Sequence, residues 1–146
     1  MTIDLKGRTV CGYQLDIELG RGGMGTVYRA ETSEDGPAGP AGTRVAIKVF
    51  HPELVADERS LERFRREAEI GKRVRHPHVV RTFDVDHDEV DGQPVHFMSM
   101  EFIEGQTLAD LQEDLGTVPE ALLFQISDQV LDALDEIHGL GVIHRD

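Results

Sequence analysis

A chain of 146 residues, 39% of them hydrophobic, is long enough to bury the core of one ordinary domain. Its 28 acidic residues against 15 basic ones give a net charge of -13, which argues against a nucleic-acid partner, although a local cationic pocket could still hold a small polyphosphate. No apolar run is long enough to span a membrane, the N-terminus MTIDLKGRTVCGYQ has no apolar signal core, and the lone Cys11 cannot form an internal disulfide, which fits a reducing cytoplasm.

In chain order, Tyr13 to Ala30 reads as strand, glycine-rich turn, strand. Leu15, Ile17 and Leu19 alternate with Asp16 and Glu18, the two-residue period of a half-buried strand. The stretch ETSEDGPAGPAGT is polar and rich in Gly and Pro, and reads as a loop. RVAIKVF is the third strand, with Val45, Ile47 and Val49 on one face and Ala46 and Lys48 on the other. A helix runs from about Glu58 to Arg75 with Asp57 as N-cap, and Leu61, Phe64, Ala68, Gly71 and Val74 form its packed face.

Two further strands are joined by an acidic turn containing Asp91-Gly92, a hairpin signal. EGQTLADLQEDLG reads as a short helix. A long helix from Thr117 to Gly139 follows, with Thr117 and Glu120 at capping-box spacing, Pro119 in the first turn, and an apolar stripe of Leu123, Ile126, Val130, Leu134 and Ile137. The order is therefore five strands with one helix after the third, then helices alone.

The chemistry concentrates at three places. Gly20, Gly22 and Gly25 have G-x-G-x-x-G spacing, where a missing Cβ lets backbone approach phosphate oxygens. A dinucleotide-binding fold and a plain hairpin turn share this motif, but here it leads into the strand-like TVYRAE rather than a helix. Lys48 lies mid-strand, where an ammonium group needs an anionic partner, and Glu67 on the following helix is a carboxylate that could reach it; it is also one charge among several in ERFRREAE. His76, His78 and His87 read as turn and surface residues, and DHDEVDG lacks the ordered spacing of a calcium loop.

Taken together, LGRGGMGTVYRA, VAIK, RFRREAE, RHPHVV, MEFIEG and VIHRD resemble, in order and approximate spacing, a eukaryotic-like protein kinase of the bacterial serine/threonine type. The resemblance runs from about Val10 to Asp146. It implies an α+β fold: a kinase small lobe, built as a five-stranded antiparallel sheet plus one long helix, and the first helices of an incomplete large lobe. Residues 1-9 would be an extension, 10-103 the small lobe with its hinge, and 104-146 the start of the large lobe.

The resemblance also implies roles. Gly20, Gly22 and Gly25 would cover the ATP phosphates, Val27 and Ala46 would sandwich the adenine, and Lys48 would hold the α- and β-phosphates while pairing with Glu67. Met100 would be the gatekeeper, and the backbone of Glu101 and Ile103 would bond the adenine edge. His144 would be a packing residue of the catalytic loop, Arg145 the arginine that answers a phosphorylated activation loop, and Asp146 the catalytic base. The implied cofactors are ATP and, in the longer enzyme, Mg²⁺ with ligands outside this chain; the implied partners are proteins bearing Ser or Thr acceptors. The expectation is of an N-terminal piece, inactive alone and prone to self-association through helix 118-139. A non-catalytic nucleotide- or partner-binding module is the rival reading, and an acidic interaction scaffold a third.

Overall fold

The structure, a computed structural model, describes residues 4-143; within helix Glu58–Arg73 the side chains of Arg63 and Glu67 are not among those described. The elements are β1 (Thr9–Val10), β2 (Tyr13–Gly22), β3 (Gly25–Thr32), β4 (Arg44–Phe50), a 3-10 turn (Pro52–Leu54), α1 (Glu58–Arg73), β5 (Thr82–Val90), β6 (Gln93–Glu101), α2 (Leu108–Leu115) and α3 (Glu120–Gly139). They divide into two compact units. One holds the chain up to Arg73 together with Arg81–Phe102, and the other holds Val74–Val80 together with the stretch from Ile103 onward.

The first unit is an antiparallel sheet in the order β1-β2-β3-β4-β6-β5. All five expected strands are present. The sixth, β1, is only two residues long, too short for alternation to reveal, and is made by a tight hairpin pairing Val10 with Tyr13. Its turn residues, Cys11 and Gly12, both have positive φ (42° and 78°), the geometry of a type I′ turn. Asp91 and Gly92 repeat that geometry between β5 and β6, at φ 53° and 76°, as the Asp-Gly signal predicts.

One face of the sheet carries the core. Leu15, Tyr28, Ala30, Val45, Ile47 and Phe97 are buried there, and Leu5, only 1% exposed, packs among them. Residues just before β1 therefore contribute apolar surface to the sheet, a contribution that a stretch as short as DLKG does not advertise. The opposite face carries Val27, Ala46, Lys48, Met98 and Met100, since Val27 stands directly across from Lys48, Lys48 across from Met98, and Ala46 across from Met100.

Helix α1 begins where Asp57 caps it: the Ser60 amide N–H donates to Asp57 Oδ1 at 3.0 Å. It ends at Arg73, two residues short of the expected Arg75, ahead of the turn that holds Pro77. Phe64 packs edge-on against Phe50 at 4.3 Å between ring centroids, and Lys72 bridges to Asp84 of β5 at 2.7 Å.

In the second unit, α2 carries a complete capping box: the Asp110 amide donates to Thr107 Oγ1, and the Thr107 amide to Asp110 Oδ2, both at 3.1 Å. The box expected for α3 from Thr117 and Glu120 does not form. Pro119 is itself the N-cap, in extended backbone at ψ 140°, so the helix starts at Glu120 and Thr117 lies outside it. The α3 stripe is also less open than its sequence suggests. Ile126, Val130, Leu134 and Ile137 line a groove of about 510 Å³ with His78, Val79 and Val80; Val130 stays half exposed at its edge, as does Leu123 outside it. Phe124 and Leu131, outside that stripe, are more exposed, at 63% and 64%.

Candidate functional site

The site grows from the β2-β3 hairpin. Gly22 pairs with Gly25, leaving Gly23 and Met24 as the turn. Gly25 is required by the fold itself, because a Cβ there would collide with the Val49 carbonyl oxygen. Gly20, Gly22 and Gly23 differ: a Cβ at any of them would meet no protein atom within 4 Å. Packing within the chain does not explain glycine at these positions. A bare backbone edge beside open space does, if a bulky ligand fills that space.

That space is a cavity of about 340 Å³ lined by Gly20 to Gly25, Val27 and Lys48. Lys48 is partly exposed. Among the described residues its ammonium meets the Met24 sulfur, 3.9 Å away, and the Phe50 ring, 5.5 Å to the centroid. Both are soft, weak partners for a cation. Arg21, the other cation on the lining, is already engaged by Glu18 at 2.8 Å, each group reinforcing the charged form of the other.

The sheet register puts Val27, Ala46 and Met100 on the same face as Lys48. Ala46 is 6% exposed, small enough to leave a flat apolar patch beside Val27. Glu101 closes β6. Its amide donates to the Arg81 carbonyl at 2.8 Å, and its carboxylate accepts from the Arg81 amide at 3.2 Å. Ile103 belongs to the second unit and is 56% exposed. The expected Lys48 partner Glu67 lies on α1, but its side chain is outside those described, and His144, Arg145 and Asp146 lie outside the described residues altogether.

Two participants carried no sequence signal. His51, just past β4, donates its backbone N–H to the Met24 carbonyl at 3.2 Å, and its ring Nε2 lies 2.9 Å from the Gly22 carbonyl. Met24 itself, a turn residue in the pattern, turns out to cover Lys48. Nothing in VFHPE marks a histidine as reaching back to a loop so far away in sequence.

The remaining polar groups serve the scaffold. Lys72 is held in its charged form by Asp84 and then Glu69. Burial, followed by the charges of Asp88 and Asp86, pushes the Cys11 thiol up to about 11, so it stays protonated and unreactive. His76 bonds Asp132 at 3.1 Å, and His87 stacks on His96 at 5.7 Å. Among the described residues no group of three or more His, Cys, Asp or Glu side chains is arranged to hold a metal, and no helix is long and apolar enough to cross a membrane.

The chain is 38% identical over 146 residues to the serine/threonine-protein kinase PksC of Streptomyces coelicolor, an alignment covering 96% of this chain and 25% of that protein. It thus spans about a quarter of the length of such relatives. The crystal structure of the PknI kinase domain of Mycobacterium tuberculosis superposes with a TM-score of 0.76 at 31% identity, over 97% of this chain and 53% of that one. A crystal structure of Rad53 in complex with AMP-PNP superposes with a TM-score of 0.74 at 29% identity, over 92% of this chain and 32% of the other. The model of the protein kinase domain matches residues 13-146, and with a glycine hairpin over a strand lysine on the sheet's open face, the chain belongs to the protein kinase domain family.

Proposed function

We propose that this chain carries the ATP-binding portion of a serine/threonine protein kinase, an enzyme that moves the γ-phosphate of ATP onto Ser or Thr hydroxyls of protein substrates. One observation carries the reading: Lys48 lies at a cavity walled by glycine backbone, with open space beside Gly20, Gly22 and Gly23. A triphosphate would meet a fixed cation and bare amides there, the two groups that phosphate binding uses. The AMP-PNP bound to Rad53 and the similarity to bacterial serine/threonine-protein kinases such as PksC support the same reading.

In this reading Val27 and Ala46 hold the adenine faces, Met100 stands behind it, and the backbone of Glu101 and Ile103 bonds its edge. Glu67 pairs with Lys48, and Asp146 takes the hydroxyl proton of the protein substrate. Mg²⁺ bound with ATP would neutralise charge on the phosphates; no ligand for it is assigned in this chain. A cytoplasmic setting agrees with the single unreactive thiol. Self-association through α3 agrees with the exposure of Phe124 and Leu131.

The test is calorimetric titration of ATP into the 146-residue chain and into Lys48→Met. Losing one charge-assisted contact should weaken binding by about tenfold or more. Binding that is unaltered by the substitution would reject the site.

A further inference from the structure

Resting on that reading of the cavity, we propose that His51 is a positioning residue for the glycine-rich turn, pinning its carbonyls on one side so that an amide N–H faces an incoming polyphosphate. His51 holds the turn at two points. Its backbone N–H donates to the Met24 carbonyl at 3.2 Å, and its ring Nε2 stands 2.9 Å from the Gly22 carbonyl. A carbonyl oxygen can only accept, so Nε2 carries the proton. The two anchored carbonyls flank the turn, one before Gly23 and one at its second residue. Gly25, seated on the Val49 carbonyl with no room for a Cβ, is the third fixed point.

The consequence follows from peptide geometry. In a planar trans peptide the C=O and the next N–H point in opposite directions. With the Gly22 oxygen drawn to His51, the Gly23 N–H is turned away from it. His51 does not line the cavity of Gly20 to Gly25 and Lys48; it lines a separate small cavity with Thr26, Tyr28, Val49 and Phe50. The Gly23 N–H therefore points to the polyphosphate side. A released Gly22–Gly23 peptide is free to flip, since glycine on both sides removes the steric bias, and would then present a carbonyl dipole to an anion. The ring bond selects the flip state that binds, so affinity should follow the fraction of turns held in it.

The experiment compares wild type with His51→Leu, which keeps bulk but has no donor, and His51→Gln, whose amide nitrogen can replace Nε2–H. ¹⁵N relaxation on the 146-residue chain reads the turn directly. The Gly23 and Met24 amides should lie near the rigid order parameter of ~0.85 in wild type and His51→Gln, and fall below ~0.6 in His51→Leu. ATP affinity should drop about fivefold in His51→Leu and return to within about twofold in His51→Gln, while adenosine, which has no phosphates, should bind all three alike. Rigid amides in His51→Leu would overturn the clasp. Mobile amides with undiminished ATP affinity, or an equal loss for adenosine, would overturn its phosphate-positioning role. If wild type failed to bind ATP, the nucleotide reading would fall with that role, and the order parameters alone would still decide the clasp.

Discussion

Thr26 follows Gly25 in β3, and its side chain lies on the core side of the sheet. It is 2% exposed, and among the described residues its Oγ1 is buried without a hydrogen-bond partner. Replacing such a hydroxyl with a methyl group recovers desolvation that no bond offsets, so Thr26→Val should raise stability by about 1 kcal/mol. A lowered thermal midpoint would show that the hydroxyl is satisfied after all. Asp88 gives the opposite case. Its carboxylate accepts the Cys11 amide at 2.7 Å, and that bond, with one from the Glu89 amide, holds its titration below the ordinary carboxylate range. The stabilisation is complete above the unfolded-state value near pH 4 and is lost as pH falls through the lower folded value, so Asp88→Asn should flatten the fall in urea midpoint as the pH drops below about 4. An identical pH profile in the variant would assign the acid sensitivity elsewhere. At this scale the sequence was informative where a residue's own pattern determined its place. Strand alternation put Lys48 opposite the buried set of Val45 and Ile47. It was silent on His51, whose partners Gly22 and Met24 are distant in sequence and engaged through their backbone, which carries no side-chain signal.

Among the elements, the two threonine caps show where local pattern suffices and where it misleads. Both TLAD and TVPE begin with a threonine followed three residues later by an acid. Thr107 forms its box with Asp110, whereas Pro119 holds extended backbone and delays α3 past Thr117. Proline geometry outweighs the capping match because Pro119 biases Val118, the residue that would open a helix capped by Thr117, toward extended backbone. Thr107→Ala should therefore cost about 1 kcal/mol of stability, while Thr117→Ala should stay within ~0.5. Thermal unfolding followed by circular dichroism distinguishes them, and equal losses would contradict the assigned caps. Strand count is a milder example: β1 owes its existence to the Cys11-Gly12 turn and to Tyr13, not to any periodicity of its own.

For the molecule as a whole, charge and apolar exposure oppose each other. From Ile103 to Ile143 the sequence contains no lysine or arginine, although α2 and α3 carry many acids. Phe124 and Leu131 stand exposed on the same long helix. Two copies meeting through α3 would bury apolar surface against like-charge repulsion, so association should strengthen as salt screens the acids. Sedimentation velocity at low and high ionic strength tests this, with Phe124→Glu/Leu131→Glu expected to remain monomeric at both. Association that weakens with salt would mean that ion pairs drive it. The stripe read from sequence lies on the helix that carries Phe124 and Leu131 but does not include these, its most exposed large apolar residues, because periodicity finds a face and cannot tell which part of it a neighbouring segment such as His78–Val80 covers.

The sheet order has a further consequence, in time rather than in space. Every pair of neighbouring strands is consecutive along the chain except β4 with β6. Hairpins of the β2-β3 and β5-β6 kind close within microseconds, since their turns bring the partners together at once. The β4-β6 ladder must wait for the chain from Phe50 to Gln93, α1 and β5 included, to fold back as a long loop, with the entropy of that closure unrecovered until Ile47 and Phe97 are buried. Folding of the first unit should therefore be paced by this one seam, the same seam that brings Met98 and Met100 beside Lys48 and Ala46. The floor of the candidate site would then be the last part of the sheet to exist, however early its glycine turn has formed.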